Sequence, residues 1–257
     1  MDIKIVGLAG SPRKGRNTEF MLKKALEGAE ELGHTKSLPG KVETELLSLA
    51  RFNIGFCKGC NRCDRSNEDE KRYCPAIDDD LPIVLDKMLA ADAFIFAVPL
   101  YIGGMPAQMK AFIDRMEVIG GAAKRNNLFQ GFRNKVAGTI VQGTFRNAGQ
   151  ELTWVSFMSF FMYRNLIPVG TMDGHNPAGP YGGMGVGYPH GGSLSKGLPL
   201  EKDELGIHAC RVLGRRVALV AKMLKPVAAL EREEFIEYYR STPGIHLDSV
   251  MPGYEKR

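Results

Sequence analysis

The chain has 257 residues, 44% apolar and 25% charged, with a formal net charge of +5. That composition bounds it as one large globular domain, or a domain with extensions, with ample material for a core. It lacks the Lys/Arg block of a nucleic-acid reader, a basic-then-apolar leader after Met1 and any apolar run of membrane-spanning length, so the expected compartment is the cytoplasm.

Ile3–Ala9 is a short apolar run and reads as a strand buried on both faces. The segment Gly10-Ser11-Pro12-Arg13-Lys14-Gly15-Arg16-Asn17-Thr18 joins it to a helix. Met21, Leu22, Ala25, Leu26, Ala29 and Leu32 keep one side of that helix apolar, and Gly33 stops it. A glycine-rich loop at a helix N-terminus presents unpaired N–H groups, and the dipole favours an anion by about 0.3–1 kcal/mol. Ser11, Arg13, Asn17 and Thr18 would add side-chain contacts to a phosphate. Gly10 and Gly15 have the spacing of a nucleotide-triphosphatase loop, but Arg16 and Asn17 stand where Lys and Ser/Thr are needed. The dinucleotide pattern G-x-G-x-x-G is absent. A tight turn with a capped helix and no ligand is the plainer alternative.

Residues 42–49 read as a second strand. The loop 51–77 follows, long for such a connection and therefore of functional interest. It holds Cys57, Cys60, Cys63 and Cys74, four of the chain's five cysteines. Three thiolates spaced C-x2-C-x2-C, with a later Cys-Pro, are how bacterial ferredoxins present ligands to an iron–sulfur cluster. Four thiolates also suit zinc, two suffice for redox disulfide chemistry, and unligated exposed cysteines are the simplest alternative. The reducing cytoplasm favours metal over disulfides. Asp78, Asp79 and Asp80 read as caps of a helix that runs to Ala91, with Pro82 in its first turn.

Ala93 to Val98 is the third buried strand, ending at the loop 99–106. Pro106 suits the first turn of a helix carrying Met109, Phe112, Ile113 and Met116 on its apolar stripe. Lys110, Asp114 and Arg115 fall off that stripe and read as a solvated or interface ion-pair side. Residues 135–142 form the fourth strand, followed by the loop 143–147. The next helix is apolar almost all round, from Leu152 to Tyr163, which predicts burial on every side and hence a homo-oligomer, or cover by the C-terminal tail. Residues 166–172 read as a short edge strand with Pro168. Residues 173–198 form a glycine-rich loop with no strand period. A long helix over 202–225 carries the core cysteine Cys210.

Five strand–helix alternations argue a parallel sheet covered on both sides, with flavodoxin-like order 2-1-3-4-5. The phosphate loop, the loops at 99 and 143 and the cysteine loop all follow strands. They must therefore share the carboxyl edge of the sheet, where ligands of this architecture bind.

Gly10-Ser11-Pro12-Arg13 with Asn17-Thr18, then Pro99-Leu100-Tyr101 and Lys110-Ala111-Phe112-Ile113-Asp114-Arg115, resemble the NADPH-dependent FMN reductase superfamily. The four clustered cysteines resemble its iron–sulfur flavoprotein branch. The resemblance covers roughly residues 1–225 and leaves 226–257 as an extension, an oligomer arm. It implies FMN with its phosphate at Ser11, Arg13, Asn17 and Thr18. It implies a ring held by Pro99, Leu100, Tyr101, Ile102, Gly103, Gly104 and Met105, with Gly143, Thr144 and Arg146 opposite. It implies a 4Fe-4S cluster on Cys57, Cys60, Cys63 and Cys74, a ferredoxin-like carrier or NAD(P)H as redox partner, and a homo-oligomer. The gap before Cys74 is longer than the branch usually has, but doubling a flexible loop costs only about 0.6 kcal/mol, so Cys74 stays the fourth ligand. No side chain is expected to act as a catalytic acid or base. The expected function is an FMN-dependent electron-transfer oxidoreductase. Its rivals are an NAD(P)H-dependent flavin or quinone reductase without a cluster, and a zinc-stapled flavin-binding module.

Overall fold

The structure is a computed structural model describing residues 1–33, 38–65, 73–119, 131–145, 147–172, 179–186 and 199–227. In chain order the elements are β1 (Ile3–Ala9), α1 (Asn17–Leu32), β2 (Val42–Ser48), the short α2 (Arg62–Arg65), α3 (Leu81–Leu89), β3 (Ala93–Pro99), α4 (Ala107–Arg115), β4 (Val136–Gly143), α5 (Gln150–Tyr163), β5 (Ile167–Pro168), β6 (Gly183–Val186) and α6 (Glu204–Leu224). The strands lie in the order β2-β1-β3-β4-β5, with β6 also beside β4, and every pairing is parallel.

Alternation along the central strands sends side chains to two cores. Val6, Leu8, Phe94, Phe96 and Val98 face α3, α4 and α5. Ile5, Ala9, Ala93, Ile95 and Ala97 face α1 and α6. Burial on both sides is what makes β1 and β3 read as unbroken apolar runs. On the second side the helices touch backbone to backbone. A Cβ on Gly214 would lie 1.7 Å from the Ala25 carbonyl oxygen, and one on Gly28 would lie 2.3 Å from that of Arg211. Cys210 is buried in this core, as expected.

Several expectations need correction. The glycine-rich stretch is not all loop, because Gly183–Val186 is the strand β6 and pairs with the carboxyl half of β4, Ile140 opposite Gly183. The edge strand expected over 166–172 shrinks to two residues beside the amino half of β4. Pro106 precedes α4 as its N-cap and does not enter its first turn. Arg115 is buried, where the sequence suggested a solvated side, while Lys110 and Asp114 do form an exposed pair at 2.5 Å. The expectation for α5 stands: Phe157, Phe160 and Phe161 face the core, and Leu152, Val155, Met162 and Tyr163 are exposed on the outer side that the sequence assigned to another subunit or to the tail. The tail beyond residue 227 lies outside the described residues. No described helix is long and apolar enough to cross a membrane.

Candidate functional site

The sheet brings the four expected loops to one edge. Ala9 and Ser48, the last residues of β1 and β2, are register partners. The phosphate loop and the cysteine loop therefore leave the sheet side by side. Pro99 pairs with Gln142, so the loops after β3 and β4 leave together as well.

In the first loop, Gly10 N–H donates to the Ala97 carbonyl at 2.8 Å. A Cβ there would meet the Met109 side chain at 2.7 Å, so only glycine lets the loop sit against α4. Ser11 is buried, and its Oγ accepts the Arg13 N–H at 3.1 Å. Residues 12–16, including Arg13, are exposed. No side chain caps α1 at Arg16, so its first N–H groups lack a side-chain acceptor. The Asn17 amide oxygen is buried without a hydrogen-bond partner. Thr18 Oγ1 accepts from Gln142 Nε2 at 2.6 Å. An uncapped helix end beside a buried hydroxyl and an exposed arginine fits a phosphate-bearing ligand.

The second loop is a tight turn. Tyr101 N–H donates to the Gly104 carbonyl at 2.9 Å, and Gly104 N–H donates back at 3.2 Å. Ile102 and Gly103 have φ of 50° and 74°, the left-handed pattern of a type I′ turn. Glycine takes this region freely, but a β-branched residue is strained there. Ile102 is fully exposed, and Tyr101 beside it is also exposed, which leaves an apolar shelf for a flat ring. The loop after β4 comes close: a Cβ on Gly149 would lie 2.4 Å from the Gly103 carbonyl oxygen. Gln150 shapes this loop from inside, donating to the Phe145 carbonyl at 2.7 Å and accepting the Ala148 N–H at 2.8 Å. Thr144 and Phe145 are exposed. Arg146 lies outside the described residues.

The cysteine loop is closed at its base. Asp80 N–H donates to the Asn53 carbonyl at 3.0 Å, and Asn53 N–H donates to Asp80 Oδ2 at 2.7 Å. Asp79 accepts from Gly55 N–H at 2.9 Å and from Leu81 N–H at 3.2 Å. Arg115, arriving from α4, grips the same neck. It donates to the Gly55 carbonyl at 3.0 Å and to Asp79 through two contacts of 2.6 and 3.2 Å. The two side chains are 1% and 2% exposed. Burial pushes the Asp79 carboxyl up, but the Arg115 guanidinium and the two backbone N–H groups outweigh it and hold the group below the usual carboxylate range. Further along, Tyr73 donates to Asp86 of α3 at 2.5 Å, next to Cys74.

None of the four loop cysteines is in a disulfide; Cys57 and Cys60 are exposed, while Cys63 and Cys74 pack against the core. Gly59 and Asn61 take left-handed φ of 59° and 52°, curling the chain between the cysteines, and Gly59 N–H points at Cys57 Sγ at 3.5 Å. Soft thiols on a curled loop, with an amide aimed at sulfur, suit an iron–sulfur cluster in their chemistry. Among the described residues no three Cys, His, Asp or Glu side chains are gathered around one point.

Gln142, Gln150, Asp79 and Arg115 were not recognised as site-shaping residues in the sequence. Gln142 is the one with a usable signal, being an amide near the end of a buried, mostly apolar inner strand.

A doubly wound parallel sheet with strand order 2-1-3-4-5, a glycine-containing loop from its first strand into α1 and an exposed tight turn after its third defines a flavodoxin-like fold. RosB with bound intermediate 8-demethyl-8-formylriboflavin-5'-phosphate shares this fold, with a TM-score of 0.60 at 16% identity over 95% of this chain and 90% of RosB. The chain belongs to the NADPH-dependent FMN reductase family, which it matches over residues 3–172, and within it to the iron–sulfur flavoprotein branch. It is 37% identical to an iron-sulfur flavoprotein of Methanocaldococcus jannaschii over 87% of this chain and 100% of the relative. It is 30% identical to one of Archaeoglobus fulgidus over 87% of this chain and 98% of the relative. It is accordingly a flavin-dependent oxidoreductase whose cofactor is FMN.

Proposed function

We propose that the chain is an electron-transfer flavoprotein in which a 4Fe-4S cluster on Cys57, Cys60, Cys63 and Cys74 exchanges single electrons with FMN. A ferredoxin-like carrier supplies the electrons and a small acceptor takes them. The carrying observation is the pairing of Ala9 with Ser48, which starts the phosphate loop and the cysteine loop from neighbouring strand ends. Bound FMN supplies one- and two-electron chemistry, while the chain supplies position and electrostatics. Ser11, Arg13, Asn17 and Thr18 hold the phosphate. Residues 99–105 hold the ring from one side, and Gly143, Thr144 and Arg146 from the other. Lys58 and Arg62 beside the cysteines favour the more negative, reduced state of the cluster. The exposed outer side of α5 supports a homo-oligomer, a dimer or tetramer, working in the cytoplasm. Residues 1–225 form the flavin domain, and 226–257 form an oligomer arm.

Anaerobic purification with iron, acid-labile sulfide, zinc and FMN analysis tests this. The expected result is about four iron and four sulfide per chain with FMN and no zinc. Cys→Ser at each of the four positions should remove the cluster and leave FMN in place. Stoichiometric zinc would sink the electron-transfer reading, and a cluster retained in Cys74→Ser would show that another residue is the fourth ligand.

A further inference from the structure

We propose that Gln142 is a positioning residue for the phosphate of the bound flavin nucleotide, acting by orienting the Thr18 hydroxyl. This rests on the reading of residues 10–18 as the FMN phosphate site. Gln142 lies at the carboxyl end of β4 and is 5% exposed, while Thr18, in the first turn of α1, is 1% exposed. They are 124 residues apart in sequence, and Gln142 Nε2 donates to Thr18 Oγ1 at 2.6 Å. A threonine hydroxyl has one hydrogen to give. Because its oxygen accepts from Gln142, that hydrogen is free to donate elsewhere. At the N-terminus of α1, beside the exposed loop that ends at Arg16, the acceptor to be met is a phosphate oxygen.

Two further observations set this helix end apart from ordinary packing. Gln142 Oε1 is buried with no hydrogen-bond partner. Leaving a buried acceptor unsatisfied is costly, and an apolar residue would avoid it on a strand whose neighbour Ile140 faces the same core. Asn17, adjacent to Thr18, also carries a buried unpartnered amide oxygen. Both orphans are acceptors, which a phosphate oxygen does not satisfy; they show that polar side chains occupy this helix end where apolar ones would pack without that penalty. The 2.6 Å contact sets the Nε2 donor directly against the Thr18 hydroxyl.

The test is a comparison of FMN with riboflavin, which lacks the phosphate. Cofactor-free protein is titrated with each, following flavin fluorescence, in the wild type, Gln142→Met, Thr18→Val and the double variant, with thermal melts to check folding. Gln142→Leu repeats the measurement with a differently shaped side chain. Gln142→Met should weaken FMN binding about tenfold while riboflavin binding stays at the wild-type value. In the Thr18→Val background the same change should have no further effect, because the relay is already broken. A wild-type ratio of FMN to riboflavin affinity in both Gln142 variants, or losses that simply add, would overturn the role of Gln142 alone. A wild type that fails to prefer FMN over riboflavin would overturn the phosphate-loop reading, and this proposal with it.

Discussion

Removing the Asp79 carboxylate should be among the most damaging single changes available outside the hydrophobic core. Asp79→Ala takes away both contacts to Arg115 and the acceptor of two backbone N–H groups. It leaves a guanidinium that is 1% exposed with the Gly55 carbonyl as its remaining described partner. Breaking a buried ion pair from one side costs about 3–5 kcal/mol, because the surviving charge stays desolvated. For a chain of this size each kcal/mol moves Tm by about 2–4 °C, so the midpoint should fall by roughly 6–20 °C. Circular dichroism melts and urea unfolding of the cofactor-free protein give the number. The apolar double variant Asp79→Leu with Arg115→Met should recover only part of the loss, since it removes the stranded charge but leaves the Gly55 and Leu81 N–H groups and the Gly55 carbonyl without these partners. The sign with pH is fixed. A carboxyl held below its ordinary value stabilises the fold above about pH 4 and loses that contribution as pH falls through the folded value. The gap between wild type and Asp79→Asn should therefore close on acidification. A loss under about 1 kcal/mol for Asp79→Ala, or a double variant no better than the single, would refute the reasoning.

Ile102→Gly should relieve the left-handed strain of a β-branched residue and raise stability by about 1 kcal/mol in thermal melts. It should also weaken FMN binding by removing the apolar shelf; tighter binding would show that Ile102 is no part of the ring site. Gly214→Ala forces a methyl group into the Ala25 carbonyl across the α1–α6 contact. It should cost about 2–3 kcal/mol, and an unchanged urea midpoint would mean the helices separate easily.

How much of this was readable before the structure depended on where the deciding contacts lie. β1 and β3 are buried on both sides, so their own composition declares them, and the loop from Gly10 to Thr18 carries its chemistry in consecutive residues. β6 was missed because Gly183-Met184-Gly185-Val186 has no strand-like composition. Its glycines answer to distant neighbours: a Cβ on Gly183 would sit 2.6 Å from Cys210 Sγ, and one on Gly185 would sit 3.0 Å from Met21 and Leu200. Arg115 was misread for a similar reason. Helical spacing shows which side a residue occupies but not that Asp79, 36 positions earlier, waits there. Reading Asp79 as a cap was half right, since it does accept the Leu81 N–H. The all-round apolarity of α5 was visible, but what covers its outer side is not written in its own residues.

The closed neck at Asn53, Gly55, Asp79 and Asp80 has a further consequence. The two stretches of chain entering and leaving the cysteine segment are stitched together at its root, and beyond that root the described contacts to the body of the fold come from Cys63, Tyr73 and Cys74. A segment closed at its root can change length at a cost of about 0.6 kcal/mol per doubling, so long as those contacts are kept. That would let one flavin-binding scaffold carry metal-binding loops of different reach, and it marks residues 56–78 as the natural unit for transplanting a redox loop between members of the branch.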